Sequence, residues 1–137
     1  MIVVNLIVMQ RPLAVMMCAA AQTIGPDATA CDAAQQMRSA KVGALLVREG
    51  TQYLGIVSEA DLVRKVLAES LAPAQILVRS VMSAPLITID IAASAHDASN
   101  MMAQAGIRHL AVVEGGEVAG VISVRDLLQY FKNWGPQ

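Results

Sequence analysis

Two stretches of the chain carry the same candidate chemistry. Gly55-Ile56-Val57-Ser58-Glu59-Ala60-Asp61-Leu62 reads GIVSEADL, and Gly120-Val121-Ile122-Ser123-Val124-Arg125-Asp126-Leu127 reads GVISVRDL. In each, two aliphatic residues separate a Gly from a Ser, and an Asp stands three residues after the Ser. A carboxylate at the start of a helix can accept charge-assisted bonds from two vicinal hydroxyls. The free amides of the same helical turn favour an anion. The plainer use is a capping box, in which the hydroxyl accepts from a first-turn amide and the carboxylate reaches back, worth about 1 kcal/mol per cap. Capping accounts for the Ser and for an acid at this spacing. It leaves unexplained the Gly on the preceding strand, and the Asp in both copies where Glu is the usual partner.

The two corners have unequal neighbours. The second has Arg108 and His109 ahead of it and Arg125 beside Asp126, three candidate partners for a phosphate. The first has Gly43 and Ala44 at the matching positions, and Glu59-Ala60 in place of Val124-Arg125. A guanidinium presents a planar fork that suits phosphate oxygens. Glu59 repels a phosphate unless Arg108 or His109 reaches over from the other repeat. Taken singly, Arg108 reads as a solvated strand-edge charge and His109 as a satisfied imidazole. Their clustering with Arg125 is what points to an anion.

The elements that must position these residues repeat without a gap. From Thr23 to Leu62, and again from Thr88 to Leu127, the offset is 88 − 23 = 65 positions, and 16 of the 40 aligned pairs are identical. Such self-similarity marks a structural repeat. In each copy Thr-Ile begins a short strand. Thr29 or Ser94 then precedes Asp32 or Asp97 by three, a capping signature, and Ala and Met follow at helical spacing. The Met residues read as core filling. Next come a β-rich run, a Gly-containing turn (Glu49-Gly50-Thr51 or Glu114-Gly115-Gly116), a second strand and a helix that starts at the quoted corner. The expectation is an α+β fold of two β-α-β-β-α repeats, over residues 10–70 and 76–133. The two are expected to bury an apolar sheet face on each other with approximate two-fold symmetry, residues 70–75 forming the link.

Composition narrows the function. Hydrophobic residues make up 55% of the 137 and aromatic residues only 3%, so the core is built from aliphatic side chains and Met. A formal net charge of −1 gives no global pull toward nucleic acid or an anionic membrane. Charges interrupt every run long enough to span a bilayer. The apolar start lacks a positive leader region and is split by Arg11-Pro12, so it reads as a buried or interface-forming strand or turn rather than an export signal. Cys18 and Cys31 are too few for a disulfide framework, and with His96 and His109 they show no metal-ligand spacing. No metal is expected. His109 with Ser123 or Asp126 lacks an activated nucleophile and an oxyanion hole, so no enzyme is expected either.

The tandem corner, the stretch Val81-Met82-Ser83-Ala84-Pro85-Leu86-Ile87-Thr88, and Ile107-Arg108-His109-Leu110 at the start of a hairpin occur in order over residues 13–131. Together they resemble the cystathionine-beta-synthase (CBS) domain pair, or Bateman module. The resemblance implies a non-catalytic regulatory or sensor module that needs no cofactor. It implies an adenosine-containing ligand (AMP, ADP, ATP or S-adenosylmethionine) in clefts between the repeats, with occupancy signalled to an unidentified partner protein. By the same resemblance the corner Asp accepts from ribose hydroxyls, a nearby Ser or Thr fixes sugar or phosphate, aliphatic residues border adenine, and basic residues meet phosphates. The matching positions are Thr23, Ser58 and Asp61 in the first copy, and Ile87, Thr88, Arg108, His109, Ser123, Arg125 and Asp126 in the second. Two departures concern backbone stiffness: Ala111 stands where Pro often follows His-Leu, and Ala20 matches Pro85. The family also suggests a homodimer. The helices after the corners keep apolar residues for it, Leu62, Val63, Val66 and Leu67 in one, Leu127, Leu128 and Phe131 with Tyr130 and Trp134 in the other. A cytoplasmic location with neither nucleic-acid nor membrane partners completes the expectation. The alternative is a structural or dimerisation module with empty clefts.

Overall fold

The computed structural model describes residues 12–134. The part of the expected N-terminal strand or turn within residues 1–11, the start of the first repeat at residue 10, and the side chain of Trp134 lie outside the described residues. The described residues divide into two units, Ala21–Leu86 and a second that joins the described residues before Ala21 to those from Ile87 onward. Each is a mixed α+β unit with one three-stranded sheet, and the two repeat the same order of elements.

In the unit of residues 21–86, β1 (Thr23–Ile24) lies parallel to β2 (Ala44–Glu49), which pairs antiparallel with β3 (Gln52–Ser58). Helix α1 (Ala30–Ala40) separates β1 from β2. Helix α2 (Glu59–Leu62) follows β3 and continues as a π-helical turn over Val63–Leu67. A 3-10 turn at Pro73–Gln75 and the short helix α3 (Val78–Val81) complete it. In the other unit β4 (Thr88–Asp90) lies parallel to β5 (His109–Glu114), and β5 pairs antiparallel with β6 (Glu117–Ser123). Here α4 (Ala95–Ala105) joins β4 to β5, and α5 (Val124–Trp134) follows β6. A 3-10 turn at Pro12–Val15 stands where α3 stands in the first unit. None of the described helices is long and apolar enough to cross a membrane.

Local chemistry sets these boundaries. Thr29 caps α1, its hydroxyl accepting from the Asp32 amide at 3.0 Å while Asp32 Oδ2 accepts from the Thr29 amide at 3.0 Å. Ser94 and Asp97 do the same for α4, at 3.0 and 3.1 Å. The capping amides, and then the capping hydroxyls, hold both carboxyls below the ordinary aspartate value of 3.8. Their contribution to stability is therefore present above that value and is lost as pH falls through the lowered native values. Between β5 and β6 the turn needs two consecutive residues of positive φ, and Gly115 and Gly116 supply 60° and 83°.

The cores show how the repeats are wired. In one unit Ile24, Ala33, Met37, Leu45, Val47 and Val57 pack with Val66 of the π-helical turn and with Val78 and Val81 of α3. In the other, Ile89, Ala98, Met102, Leu110, Val112, Ile122 and Leu127 pack with Leu13. Residues that lead into the second repeat thus complete the core of the first, and residues that lead into the first complete the core of the second. The backbone repeats the exchange. Ser83 bridges Ile56 (Ile56 N to Ser83 O 3.0 Å, Ser83 N to Ile56 O 2.8 Å), and Cys18 bridges Val121 (Cys18 N to Val121 O 2.8 Å, Val121 N to Cys18 O 3.0 Å).

Candidate functional site

In the second unit the candidate residues converge through sheet topology. Because β4 runs parallel to β5, its start and the start of β5 lie at one edge of the sheet, opposite the end of β6. Thr88 is registered with Ala111, and the Ile87 carbonyl accepts from the Ala111 amide at 3.2 Å. His109 is registered with Ser123, and the Arg108 carbonyl accepts from the Val124 amide at 2.9 Å as α5 begins. Ile87, Thr88, Arg108, His109, Ser123, Arg125 and Asp126 therefore share one edge. Thr23, Ser58 and Asp61 occupy the matching edge of the first unit. There Ala44 is registered with Ser58, and the Gly43 carbonyl accepts from the Glu59 amide at 2.9 Å. The Thr23 carbonyl is taken by the Gln36 side-chain amide at 2.8 Å.

Both corners are capping boxes in the same geometry. Ser123 donates to Asp126 Oδ2 from its amide at 2.8 Å and from its hydroxyl at 2.9 Å, and accepts from the Asp126 amide at 3.1 Å. Ser58 does likewise with Asp61, at 2.9, 3.1 and 3.2 Å. The Ser123 hydroxyl spends its one proton on the cap, which fits a structural hydroxyl better than a nucleophile. Two features that capping seemed to leave over are also structural. All four capped helices use Asp at the third position, so Asp in place of Glu is a habit of this chain. Gly55 and Gly120 sit under the bridging segments. A side chain at Gly55 would overlap the Ser83 carbonyl, and one at Gly120 would lie 2.6 Å from the Cys18 carbonyl oxygen.

What remains distinctive is the other oxygen of each carboxylate. Asp61 is buried, and its Oδ1 accepts from the Ser83 hydroxyl at 3.2 Å and pairs with Lys65 Nζ at 2.9 Å. Lys65 also donates to the Val81 carbonyl at 2.9 Å. Asp126 is half-buried, and its Oδ2 alone serves the cap. The positions 65 away from Ser83 and Lys65 are Cys18 and Tyr130, and neither bonds Asp126. Arg108 and Arg125 are exposed. Lys65 and Ser83 were not among the residues singled out from the sequence. The i, i+4 spacing of Asp61 and Lys65 was the available signal for one, and the mismatch of Ser83 with Cys18 in the repeat was the signal for the other. Among the described residues, no three His, Cys, Asp or Glu side chains gather to hold a metal ion. Cys18 and Cys31 are free thiols.

Known proteins match this arrangement. The CBS domain family model fits residues 7–68 and again residues 78–133. An uncharacterised protein of Methanopyrus kandleri is 34% identical over 109 residues, 78% of this chain, and the match spans 56% of that protein's length. A solved structure of a protein with CBS domains from Burkholderia ambifaria superposes with a TM-score of 0.82 at 28% identity, covering 87% of this chain and 88% of that one. A hexameric CBS-CP12 protein from bloom-forming cyanobacteria superposes with a TM-score of 0.78 at 31% identity, covering 89% of this chain and 73% of that one.

Proposed function

The chain belongs to the CBS domain family, whose paired repeats are regulatory modules, and from that premise we propose that it is a non-catalytic sensor of an adenosine-containing ligand. AMP, ADP, ATP and S-adenosylmethionine are the candidate ligands, and occupancy is passed to a partner protein in the cytoplasm. The observation that carries this reading is the Asp126 corner. One carboxylate oxygen is fixed by the cap, which orients the group, and the other faces none of the donors that occupy its counterpart in the first repeat. A ribose diol has two donors to offer it. Arg125 precedes Asp126 in sequence and Arg108 lies on the same edge of the unit, both exposed, so a phosphorylated adenosine suits this edge better than a neutral one.

The first test is a thermal-shift screen with AMP, ADP, ATP, S-adenosylmethionine and NADH. A ligand present at 100 times its Kd adds about 2.7 kcal/mol to stability, which for a chain of this size raises the melting temperature by on the order of 10 °C. Silence across the panel would leave the ligand-free structural or dimerisation module as the better account.

Self-association is part of the proposal. Val63 and Leu67 stand 54% and 60% exposed after the first corner, and Leu128 stands 65% exposed after the second. Apolar residues this open on a small chain usually mark an interface, and a related protein is hexameric. Light scattering should find a homodimer at micromolar concentration, and Leu67→Lys together with Leu128→Lys should dissociate it. A stable wild-type monomer would rule the dimer out.

A further inference from the structure

We propose that the first corner is closed by the protein's own side chains, so that each chain binds one nucleoside, at Asp126, and Asp61 serves as an internal staple. This rests on the sensor reading above and goes beyond it by assigning the number of sites and the residues that set it. A carboxylate offers about four acceptor positions. At Asp61 all are taken from within the unit: the Ser58 amide and hydroxyl on Oδ2, the Ser83 hydroxyl and the Lys65 ammonium on Oδ1. The two positions on Oδ1 are the pair that a ribose diol would need. At Asp126, among the described residues, only the first pair is taken.

The staple joins two stretches of chain, residues 58–65 and residues 81–83. Lys65 lies on the π-helical turn, whose wider hydrogen bond from Ala68 N to Val63 O measures 2.8 Å. Its ammonium spans Asp61 Oδ1 and the Val81 carbonyl, and so ties the corner to the end of α3. Ser83, two residues farther on, is held in place by its backbone bridge to Ile56. In the second unit the equivalent of Lys65 is Tyr130, on a regular helix, and the equivalent of Ser83 is Cys18, whose thiol is a weak donor. A ligand hydroxyl entering at Asp61 would have to displace an ammonium and a hydroxyl that are already in place. At Asp126 it displaces neither. Glu59, where the second corner has Val124, adds a negative charge that opposes a phosphate at the first corner.

Calorimetric titration with AMP tests this by counting. Wild type should bind one AMP per chain. The double variant Lys65→Met/Ser83→Ala should bind two, and adding Asp126→Asn to that double variant should return the count to one. Lys65→Gln alone, which keeps more of the side chain's bulk and polarity, is the second variant should the double one fold poorly, and it should also gain a second, weaker equivalent. Two AMP per chain in the wild type would overturn the proposal and leave the sensor reading intact, as would a count of one in both opened variants. No binding by any of these proteins would sink both together.

Discussion

Asp126→Asn is expected to lose AMP affinity by roughly tenfold to a few hundredfold, with little change in melting temperature. The Asn oxygen can replace Oδ2 in the cap, where Ser123 donates from its amide and hydroxyl. Its NH2 group then stands where the open carboxylate oxygen stood, and it cannot accept from the ribose. Hydrogen bonds to a charged group are worth about 1.5–3 kcal/mol, and that range sets the predicted loss. Ser123→Ala should behave in the opposite way. It removes the hydroxyl that accepts from the Asp126 amide at 3.1 Å, costs about 1 kcal/mol of stability, and weakens binding less. Arg125→Ala separates phosphate from ribose, since it should weaken AMP while sparing adenosine. Calorimetry and thermal melts on the three variants check the set. An Asp126→Asn protein that melts early yet binds AMP normally would mean that the repeated Asp is a cap and nothing more.

Gly55→Ala and Gly120→Ala are expected to destabilise the fold by about 1–3 kcal/mol each, through overpacking. The added methyl at Gly55 would overlap the Ser83 carbonyl. At Gly120 it would lie 2.6 Å from the Cys18 carbonyl oxygen and 3.0 Å from Met17 Sδ. In both places the obstacle is backbone that is itself hydrogen-bonded across the bridge, so it cannot move aside without loosening the exchanged segment. Gly25→Ala is the control, because a methyl there meets nothing within 4 Å. Urea titration should show both bridge variants with lowered midpoints and the control near wild type. Equal midpoints for all three would mean that the exchanged segments are not held as described.

That exchange was the part of the fold that the repeat could not show. An offset of 65 residues aligns strands, caps and corners, and it placed β1 to β3 and β4 to β6 with their helices in the right order. The offset says nothing about which sheet a leading segment joins. Val78 and Val81 lie at the start of the second repeat in sequence, yet they pack in the core of the first unit. Their aliphatic character suited either core, so their placement depends on where the chain goes rather than on local pattern.

The candidate site was legible in a similar measure. The edge of Ile87, Thr88, Arg108, His109, Ser123, Arg125 and Asp126 follows from strand register, and the β-rich runs and Gly-containing turns of the sequence already indicated the hairpin that sets it. The sequence also set Arg125 in the second corner against Glu59 in the first, and so distinguished the corners by charge. It could not rank them by the state of the carboxylate. That depends on Ser83 reaching Asp61 over 22 residues of chain, and on a π-helical turn that no periodicity announced. Capping left the Gly in each corner unexplained. Its close neighbour is the chain's own backbone.

The central claim is that Asp126 accepts from the ribose of an adenosine ligand, and a crystal structure of the protein grown with AMP tests it most directly. The expected result is the ribose O2′ and O3′ within hydrogen-bond distance of Asp126 Oδ1, the phosphate beside Arg125 or Arg108, and Asp61 still bonded to Lys65 and Ser83. AMP bound elsewhere with Asp126 untouched, or no nucleotide at saturating concentration, would contradict it.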